Sequence, residues 1–339
     1  MSQPPLPPVA RRSRGLIAFV LRRVARALPV VAGIALLNFF IIRLAPGDVV
    51  DALAGDAGGA TPEYMAHLRA QFGLDRPLPV QLWRYILGLL HGDLGYSHRL
   101  AMPVAPLIFE RLPATALLIG AATLLAVLIG GGLGIVQARH PGSWRDSVIS
   151  ILILITHSIP SFWLGLMAIV FVSAGLGWFP SGGYTSFTAP QTGWRHGSDV
   201  LYHLVLPALT LANFYLATYA RLMRASLLEL HGAAFIRTAR AKGASEWQVL
   251  WRHALPNALL PVFTLLGVQL GTMVSGAVIV ESIFGWPGLG RLTFEAILAR
   301  DFNLLLGVLL IGSVVVVCAT ITIDVAQRLL DPRLAGEWS

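Results

Sequence analysis

Hydrophobic residues dominate six long stretches of this chain that contain no Asp, Glu, Lys or Arg: residues 27–42, 112–138, 147–194, 200–220, 257–280 and 302–323. A membrane-spanning helix needs about 20 mostly apolar residues, or about 17 at the short end, so the pattern predicts six spans. The first stretch is slightly short and suffices if Arg26 or Arg43 snorkels to an interface. Between the first two spans, residues 62–72 and 79–90 show helical periodicity (Tyr64, Leu68, Phe72, then Val80, Trp83, Leu87, Leu90). Gly73 and Pro77 separate them, which predicts two helices lying on the membrane surface or capping the bundle.

The spans differ in chemistry. The second is rich in small residues (Gly120, Ala121, Ala122, Gly130, Gly131, Gly132, Gly134), which lets helix backbones approach closely and predicts a central position. In the third, Pro160 stands beside Thr156, His157, Ser158 and Ser161, a combination that predicts a helix break lining a cavity rather than facing lipid. The fourth holds Pro207, Asn213, Tyr215 and Tyr219, and the fifth aligns Gln269, Thr272 and Ser275 on one helical face. Unpartnered polar groups in hydrocarbon cost several kcal/mol each, so Thr156, His157, Ser158, Asn213, Gln269, Thr272 and Ser275 are expected to line a pathway or meet one another.

Residues 223–261 form the longest charged segment between two apolar ones and hold the only lysine, Lys242. Residues 233–242 read as a short Ala-rich helix closed by Gly243 in the left-handed conformation. Ser245 is placed as the next N-cap, with Gln248 at capping-box spacing and Trp247, Leu250, Trp251 and Ala254 at helical intervals up to Pro256. The expected segment is helix, Gly turn, helix.

Composition and charge narrow the function classes. With 55% apolar and 12% charged side chains, the chain lies far from the roughly 25% charged residues of a soluble domain. The net charge of +8 does not require a nucleic-acid partner. If both termini share one side of the membrane, that side carries 16 of the 25 Lys and Arg and six of the 17 acids, and so stands at +10 against −2. This asymmetry predicts cytoplasmic termini. Residues 1–14 read as disordered and 15–26 as a basic lead-in to an uncleaved first span. Cys318, the sole cysteine, leaves no disulfide framework. His91 and Asp93 read as turn residues rather than a metal pair. A Walker A site needs Gly-Lys followed by Ser or Thr, and Lys242 precedes its glycine, so this chain is expected to hold no nucleotide. His157 and Ser158, as sequence neighbours, diverge by about 100 degrees on a helix, which disfavours an intramembrane hydrolase.

Arg237-Thr238-Ala239, three residues, Gly243, nine residues, then His253-Ala254-Leu255-Pro256 resembles the cytoplasmic EAA loop of importer-type ATP-binding-cassette permeases. That loop's pattern is Glu-Ala-Ala, three residues, Gly, nine residues, Ile, any residue, Leu-Pro. Both spacings are kept, and Arg237, Thr238 and His253 depart from the generic residues. Arg-Thr-Ala-Arg-Ala-Lys-Gly is similar to the peptide and nickel importer subfamily. So are Arg43-Leu-Ala-Pro-Gly-Asp48, Phe72-Gly-Leu-Asp-Arg-Pro77, His91-Gly-Asp-Leu-Gly95, Glu110-Arg-Leu-Pro-Ala-Thr115, Glu281-Ser-Ile-Phe-Gly-Trp-Pro-Gly-Leu-Gly-Arg291 and Leu330-Asp-Pro-Arg333.

The resemblance implies an all-α membrane protein: a six-helix ABC importer permease bundle with a cytoplasmic coupling helix. Residues 1–26 would form a cytoplasmic arm, 27–325 the permease domain with an outer insertion at 46–112 and a coupling loop at 223–256, and 326–339 a cytoplasmic tail. Arg237, Thr238, Ala239, Arg240, Ala241, Lys242, Gly243, Ala244 and Ser245 would couple to an ATPase, and Glu281–Arg291 would form an outer re-entrant turn. Implied partners are a second homologous permease, two ABC ATPase subunits that hold ATP and Mg, an extracytoplasmic solute-binding protein and lipid. The cargo is expected to be a di- or oligopeptide, with glutathione or a nickel chelate as alternatives. An ion-coupled secondary transporter, which should show central carboxylates and internal repeats, and a membrane enzyme using His157 are the competing readings.

Overall fold

The computed structural model describes residues 9–44, 61–71, 74–97, 99–188, 190 and 192–330. Its elements are α1 (Val9–Leu44), α2 (Pro62–Gln71), α3 (Leu78–Leu90), a two-stranded antiparallel ribbon β1 (Tyr96–Ser97) and β2 (Met102–Pro103), and α4 (Val104–Leu125). A π-helical turn, Ala126–Gly130, then leads to α5 (Gly131–Arg139). There follow α6 (Trp144–Ser158), α7 (Ser161–Met167), α8 (Trp194–Leu230), α9 (Ala234–Ala241), α10 (Glu246–Gln248), α11 (Leu255–Phe284), α12 (Leu289–Leu298) and α13 (Phe302–Leu330).

Among the described residues, five helical stretches are long and apolar enough to cross a membrane: Leu16–Ile41, Val104–Arg139, Trp194–Leu230, Glu246–Phe284 and Phe302–Leu329. The expected third span is a bent pair, Trp144–Ser158 and Ser161–Gly175, turned by 95° at Ile159-Pro160, which gives up to six. The bend follows from the proline, which supplies no N–H and holds the residue before it extended, as at Ile159 with φ −78° and ψ 126°.

Several boundaries differ from those expected. Helix α1 begins at Val9, so residues 9–14, expected to be disordered, are helical. The fourth span continues as one helix to Leu230, because Met223 and Leu227 stay buried beyond Arg221. Pro256 does not end a helix. It lies in the first turn of α11, where a missing N–H is tolerated, directly after a π-helical turn at Val249–Ala254. Residues 1–8, 45–48 of the first-span phrase, Phe72 and Gly73, and 331–339 lie outside the described residues.

The chain divides into two units. The smaller, residues 1–111 and 292–315, joins α1 to α13 through Asn38 Nδ2, which donates to Leu306 O at 3.1 Å. It also joins the ribbon to Asp301 through the Ser97 hydroxyl. Gly307 is needed here, since a Cβ would lie 2.6 Å from Val104.

In the larger, residues 112–291 and 316–339, α8 is the central helix and packs along α5, the first π-helical turn and α11. Close approach comes from two of the expected small residues. A Cβ on Gly130 would lie 2.6 Å from Leu216 O, and one on Gly134 would lie 2.5 Å from Ala220 O, whereas Gly120 and Gly132 have nothing within 4 Å. Asp146 accepts both Arg224 Nε at 3.0 Å and Arg224 Nη2 at 2.7 Å, together with Gln137 and the Gly142 amide. This ties α5, α6 and α8 together at their loop ends.

Candidate coupling segment and polar face

Helix α9 turns Phe235, Arg237, Thr238, Ala241 and Lys242 outward and buries Ile236 and Ala239 in the core that also holds Leu227, Val249 and Ala254. Its end is a double hydrogen-bonded stop: Gly243 N donates to Arg240 O at 2.9 Å and Ala244 N to Ala239 O at 3.2 Å. Gly243 has φ +84°, the left-handed geometry that this stop requires and that a side chain opposes.

Ser245 then caps α10 reciprocally, with Gln248 N donating to Ser245 Oγ at 3.3 Å and Ser245 N to Gln248 Oε1 at 3.0 Å. Arg240 bridges the two short helices through a bidentate pair with Glu246, at 2.8 and 3.1 Å. That hydrogen bonding holds the guanidinium above its ordinary range. An outward face is thus fixed, without a loose linker, to a turn that runs straight into α11.

The expected pathway residues do not all behave alike. Asn213 Nδ2 donates to Thr156 O at 2.9 Å, joining α8 to the broken end of α6. The ring of His157 lies 5.9 Å from that of Phe214, and its buried Nδ1 has no partner among the described residues. Ser158 donates to Leu154 O rather than to His157, so no nucleophile and base are paired there. Gln269 turns Oε1 inward to a buried position without a partner among the described residues. Thr272 donates to Gln269 O at 2.8 Å and lies within reach of Tyr215. Thr272 and Ser275 are exposed, in one stripe with Pro261, Thr264, Val268 and Ile279. The stripe is therefore a face of α11 that the other described residues leave uncovered, and Gln269 lies off it.

One node was not anticipated as a unit. Glu281, fully buried at the end of α11, accepts from Thr115 Oγ1 at 2.7 Å and from Arg291 N at 3.0 Å. Thr115 Oγ1 accepts from Leu289 N at 2.7 Å, and Trp286 Nε1 donates to Ala114 O at 2.8 Å. Gly288 and Gly290 leave room for the carboxylate, since a Cβ on either would meet its oxygens. Both partner phrases stood out in the sequence as Glu110–Thr115 and Glu281–Arg291, but nothing in either pointed to the other. The Asp146–Arg224 pair, 78 residues apart, left no local signal.

Family comparisons agree with this architecture. Residues 130–336 match the model of the binding-protein-dependent transport system inner membrane component, and residues 16–119 match its N-terminal companion. A chain of Brucella abortus (strain 2308) named for peptide transport is 41% identical over 319 residues, covering 94% of this chain and 99% of that one. The dipeptide transport system permease protein DppB of Escherichia coli (strain K12) is 37% identical over 336 residues, with the same coverage. The oligopeptide transport system permease protein AppB of Bacillus subtilis (strain 168) is 36% identical over 324 residues, again at 94% and 99%. Among solved structures, an inward-facing MetNI methionine ABC transporter superposes with a TM-score of 0.54 at 20% identity, covering 66% of this chain and 96% of that one, a likeness of fold. With five to six membrane-length helices in the structure, the family-model matches and these relatives establish that the chain belongs to the family of binding-protein-dependent transport system inner membrane components.

Proposed function

We propose that this chain is a permease subunit of an ATP-driven peptide importer and forms half of the pathway across the cytoplasmic membrane. The observation that carries the reading is the α9 cassette: an outward helix face locked by the Gly243 stop, the Ser245 cap and the Arg240–Glu246 pair to the start of α11. Along α11, in turn, runs the uncovered stripe holding Thr264, Thr272 and Ser275. A motor docking on α9 would therefore bear on the helix that presents polar groups to the cargo.

The relatives named for dipeptide and oligopeptide transport supply the cargo class. In this reading Arg237, Thr238, Ala239, Arg240, Ala241, Lys242, Gly243, Ala244 and Ser245 form the docking unit. ATP and Mg are held by two partner ATPases, a second permease completes the pathway, and an outer binding protein delivers cargo. The polar groups of the third, fourth and fifth spans contribute in two ways. Thr272 and Ser275 line the pathway, while Asn213, Thr156, His157, Ser158 and Gln269 shape the wall behind it. A switch between two exposures needs only a few kcal/mol of difference in motor binding.

The test is a crosslink. Thr238→Cys in a Cys318→Ser background should form a disulfide-length adduct with cysteines around the groove of the co-purified ATPase, and its yield should change with nucleotide. Absence of any adduct while the complex stays assembled would contradict the docking assignment.

A further inference from the structure

The uncovered faces of α8 and α11 meet α13 at a cavity of about 870 Å³ lined by Thr218, Arg221, Pro261, Thr264, Val268 and Gln327, among others. Most of its surface is carbon, yet it contains one guanidinium, one carboxamide and two hydroxyls. Arg221 differs from its neighbour Arg224, whose guanidinium is bound to Asp146. Among the described residues Arg221 makes no ion pair.

Its depth is fixed by the two helices. Arg221 lies nine residues before the end of α8 at Leu230, and Thr264 nine residues after the start of α11 at Leu255. At 1.5 Å per residue, both stand roughly 13 Å along their helices from the ends that flank the candidate coupling segment. Arg221 directly follows the charge-free stretch 200–220, so the guanidinium sits at the edge of the span beside the apolar groove, where a route through the span would open. The cavity also continues the polar stripe, because Thr264 is two turns along α11 from Thr272.

Resting on the importer reading above, we infer that Arg221 reads a carboxylate on the cargo at the coupling-end mouth of the pathway. The ligand class is a short peptide with a free C-terminal carboxylate or an acidic side chain. The cavity has room for such a peptide, with apolar walls for its stem and a planar fork of donors for a carboxylate. Peptides that lack the anion would pass this point without the contact.

The full complex in proteoliposomes, with one binding protein throughout, tests this. ATP-dependent uptake of Ala-Ala, Ala-Asp, Ala-Lys and Ala-Ala amide is measured for wild type, Arg221→Gln, Arg221→Lys and Arg221→Glu. Each result is expressed as the variant-to-wild-type ratio for that cargo, so the binding protein's own preference cancels. Loss of a charge-assisted contact predicts that Arg221→Gln lowers uptake of Ala-Asp, Ala-Ala and Ala-Lys, each with a C-terminal carboxylate, about tenfold and spares the amide. Arg221→Lys should keep most of the uptake, and Arg221→Glu should shift preference toward Ala-Lys. If the glutamine variant does not assemble, Arg221→Met keeps the apolar stem and replaces it. A ratio equal across all four cargoes, whether near one or uniformly low, overturns the proposal and leaves Arg221 as a structural or headgroup-anchoring residue. Failure of the wild-type complex to take up any of the peptides would instead overturn the importer reading on which the proposal rests.

Discussion

At the residue scale, the molecule depends on where a side chain is missing as much as on where one is present. Gly134 and Gly132 lie two residues apart in α5, yet only Gly134 touches α8, where a Cβ would stand 2.5 Å from Ala220 O. Gly134→Ala is expected to destabilise the solubilised chain by about 1–3 kcal/mol through overpacking. Gly132→Ala, with open space around it, should be neutral or slightly stabilising. Thermal unfolding in detergent separates the two, and equal shifts would contradict the packing account. Glu281 makes the complementary case. Glu281→Ala would leave the Thr115 hydroxyl and the Arg291 amide buried without their acceptor, at about 1–3 kcal/mol for each unsatisfied group. A double-mutant cycle with Thr115→Val should show a coupling well above the additivity error of about 0.5 kcal/mol. None of this was visible from spacing, because a run of glycines in a sequence does not say which of them faces a backbone.

At the element scale, local rules read the helix, turn and helix of residues 234–254 well. The stop at Gly243 and the cap at Ser245 are set by residues within a few positions of each other, so the sequence specifies them directly. The break at Ile159-Pro160 was legible for the same reason. Helix ends governed by distant packing were not. The extension of α8 to Leu230 depends on contacts made by Met223 and Leu227, and Pro256 falls in the first turn of α11, where its missing N–H is tolerated, rather than ending a helix.

Two substitutions test the cassette. Ser245→Ala should cost about 1 kcal/mol by removing the cap. Gly243→Val forces a β-branched residue toward φ +84° and should uncouple or disassemble the complex while the chain stays in the membrane. Normal ATPase association and transport in Gly243→Val would contradict the assignment.

At the scale of the whole molecule, the apolar stretches predict six spans, matched among the described residues by five helical stretches and one bent pair, and the Lys and Arg asymmetry predicts their direction. The pairing of α8 with α11 and the uncovered stripe required the structure. The charge bias of +10 against −2 predicts that single cysteines within residues 74–97 react with an impermeant reagent from outside intact cells, and that a cysteine at Lys242 does not. Labelling at position 242 would invert the topology. The central claim is that force applied at α9 moves peptide along the α11 face. Its most direct measurement is accumulation of a labelled dipeptide in proteoliposomes carrying the complete complex, with ATP and binding protein supplied, for wild type beside Gly243→Val. The account predicts ATP-dependent uptake by wild type and near-background uptake by the variant. Peptide accumulation that is independent of ATP, or equal in the two proteins, would contradict it.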